Sequence, residues 1–197
     1  MTTIDAAGRV NVAPMGPVLT SPERMRSPGG DPGFLLRPYQ GSTTCANLLS
    51  SRRAVVHVTD DVLLFAKTAV SAATEAEALV KKSESGDFAM LKDCHRWFAI
   101  RVETIREDLP RYEMDCRLVE SAIERPFFGF NRAKHAVIEA AILATRTHLM
   151  QREEIETQLH QLTPMVRKTA GRDEATAFEL LMETIRRRLD SHVETDS

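Results

Sequence analysis

The chain has 197 residues, 43% hydrophobic and 27% charged, with a formal net charge of −2. That composition belongs to a globular chain rather than a disordered one, and the charge excludes a protein whose main business is gripping a phosphate backbone. Cys45, Cys94 and Cys116 are too few and too scattered for a disulfide framework or a CxxC metal site. No signal peptide opens the chain and no run of about 18 apolar residues could span a membrane, so a cytoplasmic protein without metal, nucleic-acid or membrane partners is expected.

In chain order, residues 1–5 and 10–13 read as two short strands joined by a turn over Ala6-Ala7-Gly8-Arg9. Either the first strand is short or the true start lies upstream of Met1. Pro14, Gly16 and Pro17 interrupt the second strand, and the Pro- and Gly-rich stretch from Ser21 to Gly33 reads as a long surface loop of the kind used as a lid or flap. Strands are expected at 34–39 and 54–58. From about residue 60 the apolar residues Val62, Phe65, Ala66, Ala69, Val70 and Ala73 take helical spacing, which predicts a helix over about 60–82. Tyr112, Met114, Cys116 and Leu118 alternate with polar residues, as do Phe98, Ile100 and Val102, so these runs form an antiparallel hairpin turning at 106–110. His95 and Cys94 at its start read as structural.

After Phe130 the pattern is helical. Asn131 caps a helix to about Met150, a second runs from Arg152 until Thr163-Pro164 ends it, and Asp173 caps a third that turns Phe178, Leu181, Ile185 and Leu189 inward. The triplet Arg186-Arg187-Arg188 falls near the end of that helix and complements its dipole. Strands first and helices last predict an α+β fold.

The segment Gly41-Ser42-Thr43-Thr44-Cys45-Ala46-Asn47 follows a strand and opens a helix. A helix N-terminus offers free N–H groups and about half a positive charge, so with these hydroxyls it is a candidate phosphate site, to which Arg37 can add a guanidinium. The plain alternative is that Ser42 is an ordinary N-cap. Walker-type and GxGxxG motifs are absent.

The runs TTIDAAGRVNVAPMG, GSTTCANLL, AVVHVTDDVLLF and FNRAKHAVIEAAILATR together resemble the flavin-reductase-like FMN-binding split barrels and, within them, a family catalogued as a domain of unknown function. The resemblance covers most of the chain. It implies an antiparallel split β-barrel at residues 1–125, including the helix at about 60–82, followed by a C-terminal helical subdomain at 126–197. It also implies FMN as cofactor, a homodimer with FMN at the interface, Asn11, Ala13, Pro14 and Met15 along the flavin ring, and Ser42, Thr43, Thr44 and Asn47 around the phosphate. His57 stands where relatives often carry asparagine.

On the helix after Asn131, Ile138, Ala141, Ile142, Thr145 and Leu149 are expected to form the core stripe, opposite a stripe of Ala133, Ala136, Ala140, Ala144 and Thr147 that suggests burial on both sides. Between them run Arg132, His135, Glu139 and Arg146. Arg132 and Lys134 sit unfavourably in the first turn, which calls for an anion nearby, from the protein or from a ligand. Arg132, His135 and Arg146 are therefore candidate substrate contacts, with an intrahelical network through Glu139 as the alternative. Two functions stand: an FMN-dependent oxidoreductase of unassigned substrate and catalytic residues, and a non-catalytic binding protein for FMN or a related phosphorylated coenzyme.

Overall fold

The computed structural model describes residues 1–26, 30–71 and 76–195, with side chains to Ser191. Ala73 of the expected helix and Pro28 and Gly29 of the loop lie outside the described residues. The chain divides into two compact units, Met1–Thr59 with Ala73–Phe127, and Asp60–Ala72 with Phe128–Ser197.

The first unit is built on strands. β1 (Thr2–Ile4) and β2 (Val10–Val12) form the opening hairpin, its turn tied by the Asp5 carboxylate, which accepts from the N–H groups of Ala7 and Arg9 at 2.9 Å. β3 (Val18–Leu19) and β4 (Phe34–Leu36) pair around the long loop, whose Pro22–Arg26 stretch winds as a 3-10 helix. There follow α1 (Thr43–Ser51), β5 (Arg53–Val58), and then α2 (Val62–Val70), which belongs to the second unit. The first unit resumes with the single turn α3 (Ala76–Leu79), β6 (Val80–Lys82), β7 (Ala89–Leu91), β8 (Arg96–Asp108) and β9 (Arg111–Ile123). One antiparallel sheet of seven strands runs β2-β1-β5-β8-β9-β4-β3, open at both edges, beside a two-stranded sheet of β6 and β7.

Alternation explains the sheet's inner face. Ala54, Val56, Phe98, Ile100, Val102, Met114 and Cys116 point one way into a core that also takes Phe34, Leu36, Cys45 and Leu48. The β8–β9 hairpin continues to a two-residue connection at Leu109-Pro110, so both strands are longer than their alternation suggested. The helix expected through residue 82 stops short: Val70 ends α2, and 80–82 is a strand. Val80, Ala89 and Leu91 are buried, and Ser83 closes the turn at Gly86, where φ is 74°. A lone strand with two exposed lysines, Lys81 and Lys82, carries too little period-two signal to be read.

The second unit is helical: α2, α4 (Arg132–Thr145), α5 (Arg152–Thr169) and α6 (Arg172–Thr195). Its core joins Val62 and Ala66 of α2 to Val137, Ile155, Leu159, Phe178, Leu181, Ile185 and Leu189. Here the expected faces of α4 are corrected. Ala133, Ala136, Ala140 and Ala144 are fully buried, whereas Thr145 is exposed and Leu149 is 71% exposed. Small side chains let α2, α5 and α6 crowd α4, so the alanine stripe is the principal core face. Two helix ends also differ from expectation. α5 runs through Pro164, which is exposed, while Leu162 and Val166 remain buried; the bond lost at the proline falls on the solvent side. At the start of α6, Glu174 rather than Asp173 reaches back, accepting from the Gly171 N–H at 2.7 Å. No helix among the described residues is long and apolar enough to cross a membrane.

Candidate functional site

Strand β4 leads into the turn that starts α1. Tyr39 C=O accepts from the Ser42 N–H at 3.2 Å, and Gly41 takes φ 83°, a value that residues with a β-carbon rarely adopt. Ser42 is the N-cap: its Oγ donates to Tyr39 C=O at 2.8 Å and accepts from the Cys45 N–H at 3.1 Å. That leaves the N–H groups of Thr43 and Thr44, which the helix itself cannot satisfy and which find no acceptor among the described residues. The first turn of α1 holds no acidic residue. Thr43 is exposed. At the other end Arg52, at φ 55°, closes the helix with its N–H on Leu48 C=O at 3.0 Å.

A buried polar network anchors this turn. Asn11 of β2 donates its amide to Thr44 Oγ1 at 3.0 Å and to Thr3 Oγ1 at 3.4 Å, and Asn47 donates to Thr3 Oγ1 at 2.9 Å. Thr3, Thr44 and Asn47 are each at most 6% exposed. Three of the residues picked from sequence, Asn11, Thr44 and Asn47, are thus drawn together. Their side chains brace α1 against the first hairpin, while Ser42 and Thr43 begin the helix. Thr3, which links them, was not picked: nothing in a short threonine-containing strand marks one hydroxyl as a hub.

The other expected residues lie as follows. Ala13 N–H donates to Met1 C=O at 3.0 Å, Pro14 is half-buried, and Met15 is half-buried against the sheet core. Arg37 donates to Glu113 Oε1 at 2.6 Å, and Arg106 reaches the other oxygen at 3.4 Å. The Arg37 charge is therefore met within the protein. His57 points away from the sheet core and accepts from the Leu91 N–H at 3.0 Å, a structural role. Burial, reinforced by the positive charge at the chain's first nitrogen, pushes its pKa down to about 3. Burial raises all three thiols, Cys116 to about 12, so none is a ready thiolate.

In the helical unit, Asn131 Oδ1 accepts from the N–H groups of Ala133 and Lys134 at 2.8 and 3.2 Å, and Thr169 Oγ1 accepts a second bond from Ala133. The anion called for by Lys134 is supplied by protein carboxylates, Asp60 at 3.1 Å and Glu174 at 3.2 Å. Burial opposes its charge, yet these two partners hold its pKa above the usual lysine range. Arg132, His135 and Arg146 are exposed on α4 or at its C-cap, and the His135 ring lies 5.8 Å from that of Phe130. No ion pair joins Glu139 to His135 or Arg146 among the described residues. Of the arginine triplet, Arg188 serves other helices than its own: it donates to Ala144 C=O at 2.5 Å and to Val70 C=O at 3.1 Å, at the last turns of α4 and α2. Among the described residues no group of three or more His, Cys, Asp or Glu is placed to hold a metal.

Solved structures share the fold, among them the following three. An FMN-bound protein from Methanosarcina mazei, assigned to the DUF447 family, is 21% identical, with 93% of each chain covered and a TM-score of 0.76. An FMN-binding protein from Thermus thermophilus with bound p-hydroxybenzaldehyde is 15% identical over 66% of this chain and 73% of that one, with a TM-score of 0.50. The flavin reductase HpaC complexed with NADP+ is 15% identical over 64% of this chain and 78% of that one, with a TM-score of 0.52. Residues 1–125 match the model described as protein of unknown function (DUF447) N-terminal domain, and residues 131–183 match protein of unknown function (DUF447), so this chain belongs to the DUF447 family.

Proposed function

We propose that this chain binds FMN through the N-terminus of α1 and acts as an FMN-dependent oxidoreductase. The observation that carries the proposal is the pair of backbone donors at Thr43 and Thr44, lacking internal acceptors, in a helix start free of carboxylates and braced from behind by buried hydrogen bonds. Family membership and the fold shared with an FMN-bound protein support the same ligand. Under this reading Ser42, Thr43 and Thr44 hold the phosphate. Asn11 and Asn47 keep the turn in shape, and Ala13, Pro14 and Met15 lie along the ring. FMN, when bound, supplies the redox chemistry, and the protein binds it, orients it and tunes its surroundings.

The open seven-stranded sheet is then the wall of a split barrel. The FMN-binding module is then the sheet unit, without α2, which the boundary expected at 125 had included; the helical module takes α2 with the C-terminal helices, and two copies associate with flavin at their interface. The exposed Arg132, His135 and Arg146 are the candidates for meeting an anionic second substrate.

Flavin absorbance and FMN titration of the purified protein test the ligand. The double variant Ser42→Ala, Thr44→Ala is expected to bind FMN at least about tenfold more weakly, the equivalent of one charge-assisted hydrogen bond. Unchanged affinity in a folded double variant removes the phosphate assignment. Anaerobic addition of NADH or NADPH then separates the two functions: bleaching of the flavin supports an oxidoreductase, and stable oxidised flavin with either donor favours the non-catalytic carrier.

A further inference from the structure

We propose that Arg111, rather than Arg37, is the guanidinium that recognises the FMN phosphate and sets the preference for phosphorylated over unphosphorylated flavin. The inference rests on the phosphate reading of α1 given above. A dianion at a helix terminus calls for a cation whose charge is not already spent. Arg37 does not meet that condition, since Glu113 lies 2.6 Å from its guanidinium. Arg111 does: it has no carboxylate partner among the described residues.

The backbone carries Arg111 to the turn that begins α1. Tyr39 and Arg111 form an antiparallel bridge, Gln40 N–H donates to Pro110 C=O at 2.9 Å, and Tyr112 N–H donates to Pro38 C=O at 3.1 Å. Tyr39 is also the residue whose carbonyl receives both the N–H and the hydroxyl of Ser42. Residues 110–112 are thus bonded directly to the segment that delivers the cap.

The side chain is held ready as well. Its Nη1 donates to Arg37 C=O at 2.9 Å, and the guanidinium carbon sits 5.6 Å from the centre of the half-exposed Tyr39 ring. That bond uses one of five N–H donors, and the aromatic floor limits the rotamers, so donors in a fixed fork stay open to an oxyanion. Lysine in the same place would keep the charge and lose the fork.

The experiment compares FMN with riboflavin, which lacks the phosphate, by fluorescence titration of the full chain. Wild type is expected to prefer FMN. Arg111→Met is expected to lose about tenfold or more in FMN affinity while riboflavin affinity stays put, and Arg111→Lys to fall between. If Arg111→Met does not fold, Arg111→Lys carries the same comparison. Loss of FMN affinity in Arg37→Met but not in Arg111→Met overturns the inference. So does an equal loss for both flavins in Arg111→Met, which would place the effect in the loop rather than on the phosphate. Wild type without preference for FMN removes the phosphate reading itself, and Arg111 with it.

Discussion

The two units differ in the charge they place at their helix starts. In the helical unit Asp61 caps α2, accepting from the Leu64 N–H at 2.8 Å; Asn131 and Thr169 cap α4; Glu174 caps α6. α5 lacks a side-chain cap but places Glu153 and Glu154 in its first turn, where they answer the dipole. In the sheet unit Ser42 caps α1 through the Cys45 N–H, but no carboxylate stands in the first turn beside Thr43 and Thr44. The buried polar bonds are divided in the same sense: around α1 they link side chains from three elements, whereas in the helical core the interior is almost wholly apolar. The helical unit answers the starts of α2, α5 and α6 with its own carboxylates, as a scaffold can; a rigid polar support behind a start without one suits an anion from outside.

This contrast can be broken by substitution. The largest effect is expected from Thr3→Val, which keeps the shape but takes the acceptor from Asn47 and Asn11. A loss of about 2–3 kcal/mol in urea unfolding, with weaker FMN binding in the protein that remains folded, would tie the support to the site. Full FMN affinity in this variant would mean that the network serves stability alone. Arg188→Met leaves two helix carbonyls without their cation. It should cost about 1–2 kcal/mol and leave FMN affinity unchanged, which the same titrations check. A change in FMN affinity there would blur the division between scaffold and site.

A further effect concerns pH. His57 is held neutral in the folded chain, with a pKa of about 3 against an ordinary 6.5. Below about pH 6.5 the unfolded chain takes up a proton that the folded one refuses. Stability therefore falls as pH drops from there toward 3, by at most about 1.4 kcal/mol per pH unit from this group. His57→Asn should flatten that slope in denaturation measured at pH 7, 6 and 5. An unchanged slope would assign the acid sensitivity to other groups.

Local signals were legible in the sequence, and contacts made across it were not. Asn131 was readable as a cap because the side chain that bonds Ala133 and Lys134 is only two or three residues away. The alternation at 112–118 was readable because the face it defines is buried along the whole strand. Pro164 misled because its local penalty is overridden by Leu162 and Val166 docking on a distant core. On α4 the alanine stripe is buried as its small side chains suggested, while Thr145 and Leu149 leave the core because three helices press on the alanine face instead. At the candidate site, Ser42 and its neighbours were visible as a motif, while Thr3 and Arg111 reach the turn only through pairing with residues tens of positions away. The guanidinium nearest in sequence, Arg37, pairs with Glu113, which no local signal foretells.

Arg188 also has a bearing on how the protein is made. Chains leave the ribosome from the N-terminus, and α2 is complete by Val70, yet the side chain that bonds its last turn arrives 118 residues later. Until then the carbonyls of Val70 and Ala144 have only water for company. The helical unit spans the interval from Asp60 to the end of the chain with the sheet unit's strands inserted within it. It must therefore assemble late, at a time when the sheet unit's own long hairpin can already have formed during synthesis.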